Sequence, residues 1–143
     1  MLIPWEMLRE DKEESNNLLE KLLEIAAADP LLFGEVVRGI LHDDPFIQVQ
    51  AATMVEKVTC VRPLFLTLYK RLMINEFSAI EQPQVRRVVA LLYGRVLWDE
   101  WEMKQVVTLL KDWIENDKDK EVRENSINSL QTLDMQNERR QAF

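Results

Sequence analysis

The chain has 143 residues, of which 47% are hydrophobic and 30% are charged, and its net charge is −7. This length and composition fit one globular domain and exclude an intrinsically disordered chain. The acidic balance disfavours a protein that grips nucleic acid through many phosphates. The single cysteine excludes an internal disulfide and is consistent with a reducing compartment.

The sequence gives no sign of a membrane or secretory segment. No apolar stretch approaches the roughly 20 residues that a membrane span requires. The N-terminus has no basic region and turns acidic at Glu6, so it does not resemble a signal peptide. We therefore expect a cytoplasmic protein that has no membrane partner.

Apolar residues at helical spacing alternate with helix-start signals along the whole chain. Asp29-Pro30 and Asp44-Pro45 are two such signals, because aspartate caps a helix and proline suits its first turn. We predict an N-terminal helical cap, three helical hairpins and a polar tail that frays. The cap covers residues 1–28, the hairpins cover 30–60, 62–97 and 100–133, and the tail covers 134–143.

One short motif recurs three times. Aligned on its valine, the motif is centred on Val49, Val85 and Val122, which are 36 and 37 residues apart. A constant period of this size is typical of stacked helical repeats, in which no unit buries its apolar face alone. The sequence therefore predicts a repeat architecture, and such proteins usually bind macromolecules along a surface.

The second helix of each hairpin resembles the B helix of HEAT repeats. In that family an Asp-Pro between the helices is followed by Val-Arg and then by small and apolar residues. The third copy carries this pattern with Asp117, Val122 and Arg123. The second copy has Ile80 in place of the aspartate, and the first has Gln50 in place of the arginine.

The resemblance covers residues 30–133 and implies an all-α fold. The expected architecture is a right-handed α-solenoid of about three HEAT-like hairpins plus the N-terminal helical segment, in a single domain over residues 1–143. The period is shorter than the ~40–47 residues typical of the family, which implies tight or irregular repeats. Armadillo-like packing is the alternative.

Asp117 and Arg123 are predicted to be structural. An aspartate at the turn caps the following helix, and an arginine six residues later can reach that carboxylate or the carboxylate of the next repeat. We expect this pair to belong to a ladder along the stack. Arg86, which has Ile80 at the matching position, is expected either to pair with Glu81 or to remain free.

The sequence contains no catalytic constellation, so we expect a protein that is not an enzyme and that takes no cofactor or metal. His42 is the only histidine, and its position predicts a helix-end residue rather than a base. Cys60 has no activating histidine nearby and is predicted to be a buried or half-buried inert thiol. The many carboxylates are expected on solvated helix faces, where no burial raises their pKa.

One face of the middle repeat is predicted to bind a partner. Its residues are spaced so that they share one face of a helix: Arg87, Leu91, Arg95 and Trp98. In the first repeat, Val55 occupies the position that corresponds to Leu91. In HEAT-like stacks the B helices line the concave surface. Because arginine pairs well with carboxylates, the expected ligand is a partner helix or an acidic segment. The alternative is that Leu91 and Trp98 are core residues and the arginines are only solvated, since a rotation by one position would bury Leu91.

Two other functions remain open from the sequence. Residues 62–95 carry a charge of +4, between flanks of −7 and −4, and this band is compatible with a nucleic-acid-binding protein that resembles DNA alkylation-repeat glycosylases. Those proteins are longer and strongly basic, which disfavours this alternative. The other is a structural subunit of a larger complex. We expect a monomer, or a weak dimer through Trp5, Met7 and Leu8.

Overall fold

The computed structural model describes residues 3–9 and 13–142, and Ala142 by its backbone alone. Residues 1–2 and 10–12 of the predicted cap and residue 143 of the predicted tail lie outside the described residues. Within the described part the chain has seven α-helices and no strand, so the all-α prediction is confirmed. The α-helices are α1 Glu13–Ala28, α2 Pro30–Gly39, α3 Pro45–Val61, α4 Lys70–Asn75, α5 Pro83–Tyr93, α6 Glu100–Asn116 and α7 Lys120–Ala142, and the 3₁₀ helices are Trp5–Leu8, Pro63–Tyr69 and Phe77–Ala79.

The predicted helix starts are confirmed at two boundaries. Asp29 accepts a hydrogen bond from the amide of Leu31, and Asp44 accepts one from Phe46. In both helices proline occupies the first turn, where its missing N–H costs no hydrogen bond. These caps set the start of α2 and of α3.

The contacts divide the chain into two compact units, residues 1–65 and 66–143. In the first unit, α2 packs on α1 and α3. The apolar pattern of this segment predicts five inward residues, of which four are buried and Leu41 is half-buried; the buried ones are Leu32, Val36, Val37 and Ile40. Gly39 permits close approach, because a Cβ there would lie 2.7 Å from the Cβ of Ala51. Gly39 is isolated within a helical sequence pattern, which predicts that it permits close helix packing, and this contact supports that prediction.

Arg62-Pro63 predicts the start of a long helix through Phe77, and this prediction is wrong. Its expected apolar stripe is Leu64, Phe65, Leu68, Leu72 and Met73. Residues Pro63–Tyr69 form a 3₁₀ helix, and only Lys70–Asn75 are α-helical. A 3₁₀ helix has three residues per turn, so a stripe at α-helical spacing does not stay on one side. Leu66 is buried, whereas Leu64 and Leu68, which the stripe placed inward, are 73% and 83% exposed.

The second unit is built around packed aromatic rings. Tyr93 lies between Trp98 and Trp113, with ring centroids 6.1 and 6.0 Å away. The Tyr93 hydroxyl donates to the carbonyl of Met73, and the Trp98 indole donates to the carbonyl of Tyr93. Burial raises the pKa of Tyr93, so its hydroxyl remains a proton donor. These bonds satisfy the Tyr93 hydroxyl and the Trp98 indole N–H, as buried aromatic residues require.

The prediction that residues 134–143 form a frayed tail is wrong for the described part of that range. Helix α7 continues from Lys120 to Ala142. Gln136 donates to the carbonyl of Val96, and Arg140 donates to the carbonyl of Trp98. Because both carbonyls lie in the corner between α5 and α6, these two bonds hold the end of α7 against that corner.

Candidate functional site

Two residues of the predicted binding surface belong to the core. Trp98 is 1% exposed and Val55 is 0% exposed, so the expectation that they present apolar surface to a partner is wrong. Trp98 packs on Tyr93 within the second unit. Val55 is buried in α3 of the first unit. The alternative prediction, that Trp98 is a core residue, is therefore confirmed.

Arg87 is already held by carboxylates of its own chain. Its guanidinium makes two hydrogen bonds to Asp119, of 3.0 and 2.6 Å, and lies 3.6 Å from Glu121. The hydrogen bonds from Arg87 lower the pKa of Asp119 to about 2. Arg95 and Leu91 are half-buried. An acidic partner would have to displace Asp119 to reach Arg87, so this face is a poor docking surface.

The predicted ladder is present in a modified form. Arg123 donates to the main-chain carbonyl of Asp117 rather than to its carboxylate. The Asp117 carboxylate instead accepts a 2.8 Å hydrogen bond from Arg86, which also donates to the carbonyl of Ile80. Arg86 is therefore neither free nor paired with Glu81. The cap of α7 is Asp119, which accepts from the amide of Val122.

The described residues contain no group of three or more His, Cys, Asp or Glu side chains that could hold a metal ion. His42 is exposed, and its Nδ1 accepts a hydrogen bond from the amide of Asp44, which suits the predicted helix-end position. Cys60 is exposed, so the prediction of a buried or half-buried thiol is wrong. It lies in the last turn of α3 and contacts Glu56 at 3.4 Å.

A different surface of the second unit combines an exposed aromatic ring with a groove. Trp101, in the first turn of α6, is 72% exposed. It lines a groove between α4 and α6 whose other lining residues are Arg71, Ile74, Asn75, Asp99, Glu102 and Gln105. We call this groove the Trp101 groove. A tryptophan side chain is a large apolar surface that proteins usually bury.

The two carboxylates of the Trp101 groove are occupied within the chain. Asp99 and Glu102 form a capping box, in which Asp99 accepts from the Glu102 amide and Glu102 accepts from the Asp99 amide. Glu102 also accepts from Lys70 at 3.2 Å. This ion pair connects α4 to the first turn of α6.

Arg71 is the charged group of the groove that remains available. It is exposed on α4, and it has no ion pair or hydrogen bond among the described residues. Trp and Arg are the residue types most enriched where protein interfaces gain their binding energy. The groove therefore presents a free guanidinium beside an exposed indole.

The groove is too small and open for a large cofactor. Its volume is about 290 Å³, just below the ~300–1,000 Å³ of typical small-molecule pockets. A space of this size receives one or two side chains of a partner. A larger cavity, of about 560 Å³, lies beside Arg86, Asp117 and Asp119, and all three of these side chains are already in ion pairs within the chain.

Sequence reasoning missed the Trp101 groove, although α6 carried a signal. The buried residues of this helix are Met103, Val106, Leu110 and Trp113. At 3.6 residues per turn, Trp101 falls on the opposite face together with Gln105 and Thr108. A tryptophan on the polar face of an amphipathic helix is therefore the readable signal. The neighbouring Arg71 could not be found, because its approach to α6 is tertiary.

Neither a membrane-spanning helix nor a similarity to a known protein indicates a function. No helix among the described residues has the length and apolar character needed to cross a bilayer. No known protein family, curated protein or solved structure matches this chain. The case for a function therefore rests on the geometry of its own residues.

Proposed function

We propose that this chain is a non-enzymatic protein-interaction module that binds part of a protein partner in the Trp101 groove. The observation that carries the proposal is the exposed indole of Trp101 beside the unpaired guanidinium of Arg71. Covering an exposed indole with a partner side chain removes apolar surface from water, which is the main favourable term in most protein associations. This site replaces the B-helix face centred on Trp98, which is buried.

The proposal includes a HEAT-like architecture for the helical pairs. Two contacts of the second unit support it, because Arg86 and Arg123 each donate to the carbonyl six residues earlier. These arginines are 37 residues apart, which is the spacing of the sequence motif. Equivalent contacts at the repeat period are expected of repeated hairpins. Extended stacks of such hairpins commonly serve as binding surfaces.

The distribution of paired charge favours a protein partner over nucleic acid. Arg86 and Arg87 lie in the basic middle segment, yet their guanidinium groups contact Asp117 and Asp119 in the turn before α7. Phosphate binding depends on cations that are free to replace counterions. The basic segment therefore offers less to a phosphate backbone than its charge of +4 suggests.

A photo-cross-linker placed at the groove tests the proposal. The probe residue p-benzoylphenylalanine replaces Gln105, which is exposed and lines the groove. A matched chain carries the same probe at Asn128, an exposed position on α7. Each is irradiated in a lysate of the source cells, and each is also prepared with Trp101→Ser.

We expect a discrete cross-linked protein from position 105 that disappears with Trp101→Ser and is absent from position 128. The serine removes apolar surface without disturbing the core, because the indole is largely exposed. Two results would contradict a specific role for the groove. One is equal cross-linking from the two positions, and the other is cross-linking from position 105 that Trp101→Ser does not reduce.

A further inference from the structure

The first described residues of the chain lie as a short strap on helix α2. We call residues 3–9, which contain the 3₁₀ helix Trp5–Leu8, the strap. The indole of Trp5 lies directly on Gly39. A Cβ at this glycine would be 2.9 and 3.2 Å from two of the indole carbons, so a side chain there would collide with the ring. Gly39 therefore provides a place on α2 where an aromatic side chain meets the helix backbone.

A second contact lies at the other end of the strap, four residues after Trp5. Arg9 forms an ion pair with Asp44, and its guanidinium lies 4.6 Å from the centre of the Phe46 ring. Arginine suits this double contact, because it pairs with a carboxylate and also stacks on an aromatic face. We call the surface formed by Gly39, Asp44 and Phe46 the strap seat. The seat holds an aromatic side chain and an arginine that are four residues apart.

The strap is held to the rest of the first unit mainly by side chains. Its main-chain hydrogen bonds among the described residues are internal to it, except that the carbonyl of Met7 accepts from the Ser15 hydroxyl at 3.0 Å. Ile3 and Leu8 are buried, whereas Met7 is 61% exposed and Trp5 is half-buried. A segment with so few main-chain bonds to its surroundings can open locally while the helices stay intact. The strap is therefore bound in the manner of a peptide ligand.

The charges around the strap seat favour a basic occupant. Asp43 and Asp44 lie in the turn at the seat, while Glu35 of α2 is already paired with Arg38. Residues 1–65 carry a net charge of −6. The strap contributes one glutamate and one arginine to this sum, so lifting it leaves the balance unchanged. An arginine-bearing segment is thus attracted both by the carboxylates at the seat and by the unit as a whole.

We infer that the strap seat is a second binding site, which accepts a partner segment with a tryptophan followed four residues later by an arginine, and that the strap closes this site until such a segment replaces it. The partner tryptophan lies on Gly39, and its arginine contacts Asp44 and Phe46. The site belongs to the first unit and is independent of the Trp101 groove, which lies in the second.

The covalent connection of the strap sets how strongly it competes. A tethered segment acts at an effective concentration on the order of 1 mM. A partner therefore binds the natural chain more weakly than a chain whose strap has lost its anchors, by a factor that reports the fraction of open seats. The double variant Trp5→Ser with Arg9→Gln removes both anchors from the full chain. We call this chain the open variant.

The test measures binding of synthetic peptides to the open variant and to the natural chain by fluorescence anisotropy. The strap peptide, Ile-Pro-Trp-Glu-Met-Leu-Arg, has blocked ends and a fluorescent label. A pattern peptide replaces its Glu-Met by Ala-Ala. Two further peptides carry serine in place of the tryptophan, or glutamine in place of the arginine.

We expect the open variant to bind the strap peptide in a saturable manner, about tenfold more tightly than the natural chain does. The pattern peptide should bind at least as tightly, because it lacks the counterpart of Glu6, which pairs with Arg9 in the strap. The serine peptide should be weakened about thirtyfold or more, as is usual for an aromatic anchor. The glutamine peptide should be weakened about three- to tenfold, as expected for an exposed ion pair with a cation–π contact.

Two helix-capping aspartates of the first unit give a matched pair of variants. Asp44 and Asp29 each cap a helix that begins with proline, and asparagine keeps an oxygen for the cap. In the open variant, Asp44→Asn should weaken the strap peptide about three- to tenfold and should not weaken the glutamine peptide further, because both changes remove the same interaction. Asp29→Asn should leave binding unchanged. An equal loss with Asp29→Asn would show that net charge controls binding and would overturn the inference.

A measurement on the natural chain decides the matter even if the open variant does not fold. The four tryptophans are replaced by 5-fluorotryptophan, and the ¹⁹F signal of Trp5 is assigned by its loss in Trp5→Phe. Unlabelled pattern peptide at several times the ~1 mM effective concentration of the strap should move this signal toward its position in a free fluorinated strap peptide. A Trp5 signal that stays in place would overturn the inference, because the strap would then be a fixed part of the fold.

The inference is also overturned if the folded open variant does not bind the strap peptide, or if the serine peptide binds it as tightly. A second copy of the chain is the remaining occupant to examine. If sedimentation of the natural chain shows a concentration-dependent dimer that Trp5→Ser abolishes, the seat accepts the strap of another copy, and the assignment to a separate partner is overturned. A strictly monomeric natural chain supports that assignment.

Discussion

At the scale of single residues, the arginines of this chain have two distinct uses. Arg86 lies against the ring of Trp113 at 4.8 Å and bonds both Asp117 and the carbonyl of Ile80. Arg71 is exposed and makes none of these contacts. The same residue type thus supports the fold at one position and remains available for a ligand at the other.

This difference predicts that removing the Arg86 side chain lowers the stability of the fold much more than removing the Arg71 side chain. Arg86→Ala should lower the free energy of unfolding by about 2 kcal/mol, because it leaves the nearly buried Asp117 carboxylate without its ion-pair partner and the Ile80 carbonyl without the Arg86 donor. Arg71→Ala should change it by less than about 0.5 kcal/mol, as is usual for exposed residues. Urea unfolding followed by circular dichroism measures both. A similar loss in the two variants would contradict the assignment of Arg71 to the surface.

The ion pair of Arg87 and Asp119 predicts a dependence of stability on pH. The pKa of Asp119 is lowered to about 2, below the value of roughly 4 for an unfolded aspartate. The pair therefore stabilises the fold fully above about pH 4. This contribution is lost as the pH falls toward 2, because the carboxylate is protonated.

Asp119→Asn isolates that contribution. In urea unfolding, the difference in stability between the natural chain and the variant should be constant from pH 7 to about 5 and should shrink between about pH 4 and 2. The asparagine keeps a side-chain oxygen that can accept from the Val122 amide, so the comparison reports the charge. A difference that does not shrink at low pH would show that the pair is not maintained in solution.

At the scale of helices, much of the fold could be predicted from the sequence and the binding site could not. The starts of α2 and α3 were readable because Asp-Pro specifies a cap and a first turn through local geometry. The segment after Pro63 was misread, since apolar spacing alone does not separate an α-helix from a 3₁₀ helix. The extent of α7 depends on tertiary bonds from Gln136 and Arg140, which no local pattern encodes.

The predicted binding face failed for a related reason. Helical spacing predicts that Leu91, Arg95 and Trp98 share one face of a continuous helix, but only Leu91 belongs to α5. Trp98 lies beyond the end of α5 at Tyr93, so the chain has already turned and its ring enters the core. The position of Arg87 was set by Asp119, which is 32 residues away in sequence.

The contact of α5 with α7 predicts a packing limit at Gly94. A Cβ at this position would lie 2.8 Å from the hydroxyl oxygen of Ser129 and 3.1 Å from its Cα. The backbone φ of Gly94 is −75°, which alanine tolerates, so any cost is steric. Gly94→Ala should destabilise the chain by about 1–3 kcal/mol, the usual range for an overfilled contact.

Thermal or urea unfolding measures the effect, with Asn128→Ala as the control on the exposed surface of α7. That change should be nearly neutral. If Gly94→Ala were stabilising, the reduction of unfolded-state entropy by alanine would outweigh the contact. The two helices would then be able to separate by a few tenths of an ångström without loss.

At the scale of the whole molecule, the division into two compact units predicts that the second can fold alone. The aromatic contacts among Tyr93, Trp98 and Trp113 are all internal to this unit. Its helices α6 and α7 pack on each other, and α7 also packs on α5. A fragment of residues 62–143 keeps these contacts and the complete 3₁₀ helix Pro63–Tyr69.

We expect this fragment to unfold cooperatively on heating, with a tryptophan emission typical of buried indoles before the transition and a red shift after it. Trp98 and Trp113 are buried and should dominate the shift, because Trp101 is already solvated in the folded chain. The fragment with Leu110→Ala should melt at a lower temperature, since this substitution leaves a cavity among those rings. A broad, non-cooperative transition in the parent fragment would show that its core depends on residues before 62.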